Sequence, residues 1–232
     1  MRMPFFFVLL LLWSCSNQSA NQPDNPPPPA SPKTYLALGD SYTIGESVAE
    51  ESRYPNQLAS QLRDSGILME APLIIAKTGW RTDNLQDGIQ AAELQDTFDL
   101  VSLLIGVNNQ FQNRPISVYQ TEFEELLQQA IAFAGGKKEN VFVISIPDYA
   151  FTPYGQGTVN PNGISSGIDQ FNAVNRSITE EYEIPYYFIT AISRQGVEDT
   201  SLVASDGLHP SGEQYRRWVE VFFEDVLTLL SE

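Results

Sequence analysis

The chain has 232 residues, of which 42% are hydrophobic and 18% charged, a balance that suits one globular domain with a substantial core. Its 29 acidic residues outnumber its 13 basic ones and give a net charge of −16. This charge argues against a nucleic-acid partner, because phosphate contacts need clustered Lys and Arg.

The amino terminus has the pattern of an export signal. Arg2 precedes an apolar run over residues 5–13, which is shorter than the roughly 20 residues that span a bilayer and typical of a signal-peptide core. Residues 12–15 (Leu-Trp-Ser-Cys) resemble a bacterial lipobox, and Cys15 is the only cysteine. We predict removal of residues 1–14 and lipidation of Cys15. The alternative is a plain secretory signal with an incidental cysteine.

Residues 15–33 connect this signal to the rest of the chain. They contain six prolines and no apolar periodicity, which is typical of an extended, partly stiff tether. A lipoprotein carries two or more acyl chains, enough for a stable anchor. We therefore expect a membrane-anchored, monomeric protein of the bacterial cell envelope, either periplasmic or surface-exposed, whose folded domain occupies residues 34–232.

From residue 34 onward, apolar runs alternate with helical patterns. Strands are predicted at residues 34–39, 73–76, 100–105, 141–146 and 186–189. Helices are predicted at residues 54–65, 82–94, 117–134 and 164–182, and again near the carboxyl terminus. Residues 147–163 are predicted to form one long loop. The strand runs are continuous rather than alternating, which indicates burial on both faces. The sequence thus predicts a three-layer α/β/α sandwich around a mostly parallel sheet of about five strands.

The first predicted strand leads into a serine, Ser41, which we expect at the carboxyl end of the sheet, where open α/β sheets bind ligands. A serine hydroxyl is a weak nucleophile until a base removes its proton. The single histidine, His209, follows Asp206 by three residues, and such a carboxylate can orient an imidazole. Each feature alone is more often an ordinary turn or a structural histidine. Their combination in one α/β chain predicts a nucleophile, a base and an orienting acid.

With these residues in place, the chain resembles the SGNH hydrolases of the GDSL lipase/esterase superfamily. The matching blocks occur in the family's order and read Gly39-Asp40-Ser41, Gly79, Gly106-Val107-Asn108-Asn109 and Asp206-Gly207-Leu208-His209-Pro210. The resemblance implies a flavodoxin-like fold. It also implies a serine ester hydrolase that acts on a small acyl ester without a metal or cofactor.

The resemblance further implies an oxyanion hole, since acyl transfer needs preorganised donors. Its donors would be the backbone N–H groups of Ser41 and Gly79 and the side chain of Asn108. Alternatively, Gly79 is a turn glycine, Asn108 caps the following segment, or Asn109 is the donor. Two departures stand out: Tyr42 replaces the eponymous leucine, and Asn109 replaces the family's usual Asp. The second removes a negative charge and any structural role of that carboxylate.

Four further residues are candidates for substrate contact. They are Asp40, Trp80, Asp148 and Tyr149, which lie beside the matched blocks or after the fourth strand. Each also has a simpler interpretation, because Trp80 can pack on the domain, Asp148 can form a Pro-Asp turn and aromatic loops often form satellite core.

The leading hypothesis is a serine esterase for an acetylated glycan, a lysophospholipid or another short-chain ester. A lysophospholipase or thioesterase of the same superfamily is the enzymatic alternative. The alternative from another class is a non-catalytic, glycan-binding surface lipoprotein, and retention of Ser41, Asn108, Asp206 and His209 together argues against it.

Overall fold

The computed structural model of the chain describes residues 31–231, and five parallel strands form its sheet. They are Tyr35–Gly39 (β1), Leu73–Ala76 (β2), Leu100–Leu104 (β3), Val141–Ile144 (β4) and Tyr186–Tyr187 (β5). Their order is β2-β1-β3-β4-β5, and every neighbouring pair is parallel. All residues of β1, β3 and β4 are buried, as their continuous apolar runs indicate. The predicted parallel sheet of about five strands is confirmed.

Helices cover both faces of this sheet. The described residues form Ser41–Ile44 (α1), Tyr54–Asp64 (α2), Thr82–Ala91 (α3), Val107–Phe111 (α4), Ile116–Phe133 (α5), Pro153–Gln156 (α6), Pro161–Glu181 (α7), Thr190–Ser193 (α8) and Gly212–Ser231 (α9). Helix α2 packs against α9, whereas α3 and α7 pack against α5. These two groups and the sheet make the three predicted layers.

Strands β4 and β5 end earlier than predicted because side chains form hydrogen bonds with the backbone groups that follow these strands. Asn172 of α7 binds the N–H of Ile146 at 2.8 Å and its carbonyl oxygen at 2.9 Å. The Ser145 hydroxyl accepts from the N–H of Ile189 at 2.9 Å. Backbone groups that bind these side chains do not pair in the ladder, so neither strand reaches its predicted end.

The prediction of one long loop at residues 147–163 is wrong. This segment contains a 3₁₀ turn at Tyr149–Phe151, the whole of α6 and the start of α7. Thr152 and Asn160 cap the two helices by accepting backbone N–H groups, and Pro153 and Pro161 follow them at the first helical positions. Proline and capping residues thus start short helices in a stretch whose composition is typical of loops.

The amino-terminal predictions fall mostly outside the described residues. The signal peptide at residues 1–14, lipidated Cys15 and the tether as far as residue 30 therefore stay predictions. Lys33, the last tether residue, already forms a parallel bridge with Met69. Within residues 31–231, every helix is too short or too polar to cross a bilayer.

Candidate active site

A cleft of about 140 Å³ opens at the carboxyl end of the sheet. The loops after β1, β2 and β3, which are neighbours in the sheet, meet there as parallel strands require. Its lining consists of Ser41, Tyr42, Thr78, Gly79, Val107, Asn108, Phe111, Tyr149, Leu208 and His209. The structure therefore brings the predicted nucleophile, base and oxyanion donors to one site.

Ser41 lies on an abrupt turn from β1 into α1. Gly39 ends the strand, and a Cβ there would lie 2.1 Å from Thr43 Oγ1 and 2.4 Å from the Leu104 carbonyl oxygen. Only glycine lets the chain pass so close to its neighbours. The Asp40 side chain then caps α1 by accepting the Tyr42 N–H at 3.0 Å. Ser41 is consequently the first residue of α1 and lines the cleft although it is only 4% exposed.

His209 and Asp206 form a bonded pair on the loop before α9. His209 Nδ1 lies 2.6 Å from Asp206 Oδ2. The other carboxylate oxygen, Oδ1, accepts the backbone N–H groups of Leu208 at 2.9 Å and His209 at 3.0 Å. Partial burial opposes ionisation of Asp206, but these donors outweigh it and hold the pKa of the carboxyl well below its usual range. An ionised Asp206 that binds Nδ1 leaves Nε2 of the ring to act in the cleft.

The predicted nucleophile, Ser41, and the predicted base, His209, lie in the same cleft but are not bonded to each other. Within residues 31–231, no hydrogen bond joins the Ser41 hydroxyl to His209, although both line the cleft. The His209 ring is held edge-on to Tyr42, with ring centroids 5.8 Å apart and an interplanar angle of 66°. Hydrogen bonds between catalytic groups commonly tighten only when substrate binds, so this geometry is compatible with proton transfer between them.

The other two candidates for the oxyanion hole, Gly79 and Asn108, are held in place by different means. Gly79 has a φ of +83°, and its position in the turn from Lys77 to Trp80 needs this left-handed conformation. A Cβ there would meet no atom within 4 Å, so backbone conformation rather than space requires glycine. Asn108 Nδ2 donates to the Trp80 carbonyl oxygen at 2.9 Å. This bond orients the amide, and the second hydrogen of the nitrogen remains for the cleft.

Asn109 serves a different purpose from its neighbour. It is fully buried, and its Oδ1 accepts the Thr82 N–H at 3.1 Å while its Nδ2 donates to Thr82 Oγ1 at 2.6 Å. The Thr82 hydroxyl in turn donates to Glu122. Asn109 therefore ties α4 to the start of α3, and the alternative that it supplies the oxyanion donor does not fit its position.

The four candidate substrate contacts separate into one that lines the cleft and three that do not. Tyr149 lines the cleft and donates from its hydroxyl to Gln110 Oε1 at 3.0 Å. Trp80 packs on α3, where a Cβ on Gly88 would lie 2.2 Å from the indole ring. Asp40 is 1% exposed and caps α1. For Trp80 and Asp40, the expected substrate contact is thus corrected to a packing and a capping role.

Asp148 is the third correction. It is completely buried and paired with Arg194 Nε at 2.9 Å, and it also accepts from Ser165 Oγ at 2.5 Å and from the Ala150 N–H at 3.0 Å. These bonds join the loop after β4 to α7 and to the arginine that follows α8. Its carboxylate is fully used by the protein, which leaves it a structural role.

Several residues at the site are not among those predicted from the sequence. Phe111, Leu208 and Thr78 line the cleft. Phe111 is 49% exposed. It follows Asn108 by three residues in α4, so its helical spacing from a candidate site residue could have indicated it. Ser47 donates to Asp206 Oδ2 at 2.7 Å, and nothing in its local sequence indicates that contact.

The fold is similar to those of several solved hydrolase structures. TesA matches with a TM-score of 0.66 and 17% identity over 85% of this chain and 99% of its own. Axe2, an acetylxylan esterase from Geobacillus stearothermophilus, matches with a TM-score of 0.62 and 16% identity over 86% and 94%. The psychrotrophic esterase EstA from Pseudoalteromonas sp. gives 0.61 and 15% over 86% and 100%.

At these identities the similarity shows the fold alone. No curated protein sequence matches the chain significantly. A model of the GDSL-like lipase/acylhydrolase family, however, matches residues 37–217, which include every residue of the candidate site. The resemblance of the four sequence blocks is therefore confirmed, and the chain belongs to the GDSL-like lipase/acylhydrolase family.

Proposed function

We propose that the protein is a serine esterase that cleaves a small acyl ester through a covalent acyl-enzyme. The observation that carries this proposal is the Asp206–His209 pair, with Nδ1 and Oδ2 2.6 Å apart, on the rim of a cleft that Ser41 also lines. Membership of a hydrolase family agrees with it. The identity of the substrate and the role of each residue are part of the proposal.

In the first half of the reaction, Ser41 Oγ attacks the ester carbonyl carbon and its proton passes to His209 Nε2. The resulting tetrahedral oxyanion would be bound by the N–H groups of Ser41 and Gly79 and by the Asn108 amide. Collapse of this intermediate breaks the bond to the alcohol oxygen, which leaves with the proton from His209. Asp206 stabilises the imidazolium throughout and stays ionised.

In the second half, water attacks the acyl-serine and gives its proton to His209. A second tetrahedral intermediate collapses to the free acid, and the proton returns from His209 to Ser41 Oγ. The net reaction consumes one ester and one water and yields an acid and an alcohol. Each missing oxyanion donor is expected to lower kcat on the order of 10²–10³-fold.

The size of the cleft supports a short acyl group. Its volume of about 140 Å³ is below the range of roughly 300–1,000 Å³ usual for sites that bury drug-sized ligands. Its apolar walls include Tyr42, Val107 and Leu208. At the edge of the cleft, Phe111 lies beside Tyr154, with ring centroids 6.4 Å apart, and both side chains are about half exposed. These rings favour the lysophospholipase or thioesterase alternative, because they would extend the apolar surface for a longer chain.

The test is hydrolysis of p-nitrophenyl acetate, butyrate and octanoate by the purified protein. We expect kcat/KM for acetate to exceed that for octanoate by about tenfold or more, since a methylene that the pocket cannot hold has an effect of this size. Ser41→Ala and His209→Ala should each lower kcat on the order of 10⁴-fold or more. Ser60→Ala, an exposed serine on α2, is the matched control and should behave as the parent.

Three results would contradict the proposal. Full activity in Ser41→Ala would exclude Ser41 as the nucleophile. A preference for octanoate would reject the small acyl group and favour the longer-chain alternative. An inactive parent that also fails to react with a fluorophosphonate would favour the glycan-binding module.

We also propose that Cys15 anchors the protein to the bacterial envelope, on the basis of the leader sequence alone. Cys15→Ala should move the protein from the membrane fraction to the soluble fraction of the producing cell. An unchanged distribution would reject the lipid anchor.

A further inference from the structure

The turn that follows α1 has an unusual backbone. Gly45 ends the helix with a φ of +68°, and two residues later Ser47 has a φ of +65°. The left-handed region is unfavourable for residues with a Cβ and seldom occupied by serine. Such a conformation persists where the surroundings over-determine it, often at functional sites. We therefore expect a contact with another part of the protein to hold Ser47 in this conformation.

Ser47 is held by a contact with Asp206. Its hydroxyl donates to Asp206 Oδ2 at 2.7 Å, and the same oxygen is 2.6 Å from His209 Nδ1. The other oxygen of Asp206 binds backbone N–H groups of its own loop. Within residues 31–231, Ser47 thus makes the one hydrogen bond that reaches Asp206 from outside that loop. The two residues lie 159 positions apart in the sequence.

The same turn is also tied to the other side of the cleft. Glu46, next to Ser47, accepts a hydrogen bond from the Thr78 hydroxyl. Thr78 lines the cleft and precedes Gly79. Consecutive side chains of one turn therefore bind the loop of the proposed base and the loop of a proposed oxyanion donor.

We propose that Ser47 is a positioning residue, whose hydroxyl fixes the Asp206 carboxylate and through it the His209 ring. The inference rests on the proposed serine mechanism. Asp206 Oδ2 is shared between two donors, so the Ser47 hydroxyl also limits how strongly the carboxylate attracts the imidazole proton. The Asp206 side chain is 29% exposed, and without Ser47 it keeps only the hydrogen bonds within its own loop.

Other titratable groups near the pair must be separated from this effect. Burial, with the Asp206 charge as a smaller contribution, raises the pKa of Tyr42 and of Tyr215 well above the usual value, so both stay neutral in the working range of an esterase. Glu46 lies on the turn itself. Burial raises the pKa of Asp40, next to Ser41, to about 7. A pH–rate profile would therefore include the ionisation of Asp40, and a signal specific to the histidine is needed.

Such a signal exists because His209 is the only histidine of the chain. The low-field NMR resonance of its Nδ1 proton reports the bond to Asp206 without an assignment problem. We would compare the parent with Ser47→Ala and Ser47→Gly. Both substitutions remove the hydroxyl, but glycine also accepts the left-handed backbone, so Ser47→Gly stays folded even if Ser47→Ala is too strained.

Loss of the competing donor should strengthen the bond between Nδ1 and Oδ2. In both variants we expect the Nδ1 proton to move to lower field. The looser carboxylate should lower kcat on the order of tenfold at unchanged KM, because Ser47 is not among the residues that line the cleft. Ser201→Ala is the matched control. It removes a hydroxyl that is 2.5 Å from the Asp199 carboxylate outside the cleft, and it should leave every readout unchanged.

The inference fails if both Ser47 variants keep the resonance of the parent. In that case even a lower kcat would act through the turn and not through Asp206. The proposed function fails separately, if Ser41→Ala retains activity. The resonance would still decide the role of Ser47 in that case, because it does not depend on turnover.

Discussion

Asn109 stands where the family usually has Asp. Replacing Asn109 by Asp tests whether Thr82 needs a hydrogen-bond donor at this position. The Thr82 hydroxyl has one proton, which it gives to Glu122. Its oxygen then needs a donor, and Asn109 Nδ2 supplies one at 2.6 Å. A carboxylate at residue 109 has no proton to give, so Thr82 would lie between two acceptors and could satisfy only one.

The expected magnitude follows from burial. Asn109 and Thr82 are both completely buried, and an unsatisfied buried group reduces stability by about 1–3 kcal/mol, or more when it is charged. Repulsion between the new carboxylate and Glu122 adds to this. We expect Asn109→Asp to lower the free energy of unfolding by about 3 kcal/mol at pH 8. The deficit should shrink as the pH falls, because protonation of the new carboxyl group restores a donor to Thr82.

The assay is urea unfolding of single and double variants. Adding Glu122→Gln restores the proton count, since the new amide can donate to Thr82 while Thr82 donates to the carboxylate at residue 109. The double variant should therefore recover about 2 kcal/mol, a coupling within the range of contacting residues. Glu125→Gln on the same helix, which removes an equal charge at an exposed site, should rescue nothing. Parental stability of Asn109→Asp, or equal rescue by the two Glu→Gln changes, would refute the reasoning.

Two other predictions concern Asp40 and Gly106, near the proposed nucleophile. Burial raises the folded-state pKa of Asp40 to about 7, so the folded protein binds an extra proton between about pH 4 and 7. The contribution of Asp40 to stability is complete below about pH 4 and falls by about 4 kcal/mol as the pH rises to about 7. Asp40→Asn should abolish this dependence of the unfolding free energy on pH, measured by urea titration. An unchanged dependence would contradict the assignment to Asp40. Gly106 has a φ of +130°, and a Cβ there would lie 2.6 Å from the Tyr119 ring, whereas Gly66 has a φ of +92° with no atom near. Gly106→Ala should therefore destabilise the protein by about 2 kcal/mol more than Gly66→Ala in thermal unfolding. Equal losses would show that backbone strain, and not the contact with Tyr119, accounts for the effect.

The sheet could be predicted because burial on two faces leaves a simple pattern. The runs of β1, β3 and β4 are continuous and apolar, and each is buried throughout. The ends of the strands show no such pattern, because polar side chains from distant elements determine where each strand stops pairing. The Asn172 side chain forms hydrogen bonds with the backbone N–H and carbonyl oxygen of Ile146. The local sequence around either residue does not indicate this contact.

The same division applies to the site. Ser41 and His209 belong to motifs with local spacing, so their convergence could be predicted from parallel strand topology. Asp148 was expected in the cleft because it follows a strand, yet its burial against Arg194 depends on a contact 46 positions away. Position at the correct edge of a sheet indicates where a residue lies. It does not indicate whether its carboxylate faces solvent or another side chain.

The two halves of the site are held by contacts of different strength, and this separates stability from rate. The side of the proposed oxyanion donors depends on Asn109 and Thr82, which are buried completely, so a defect there should appear first as a loss of folding free energy. The side of the proposed base depends on the hydroxyl of Ser47 and on Asp206, whose side chain is partly exposed. Loss of that hydroxyl should change stability little, because the Asp206 side chain is partly exposed, but it leaves the carboxylate without a contact that fixes its orientation from outside its own loop. Variants at Ser47 should therefore change kcat more than stability, whereas variants at Asn109 should do the reverse.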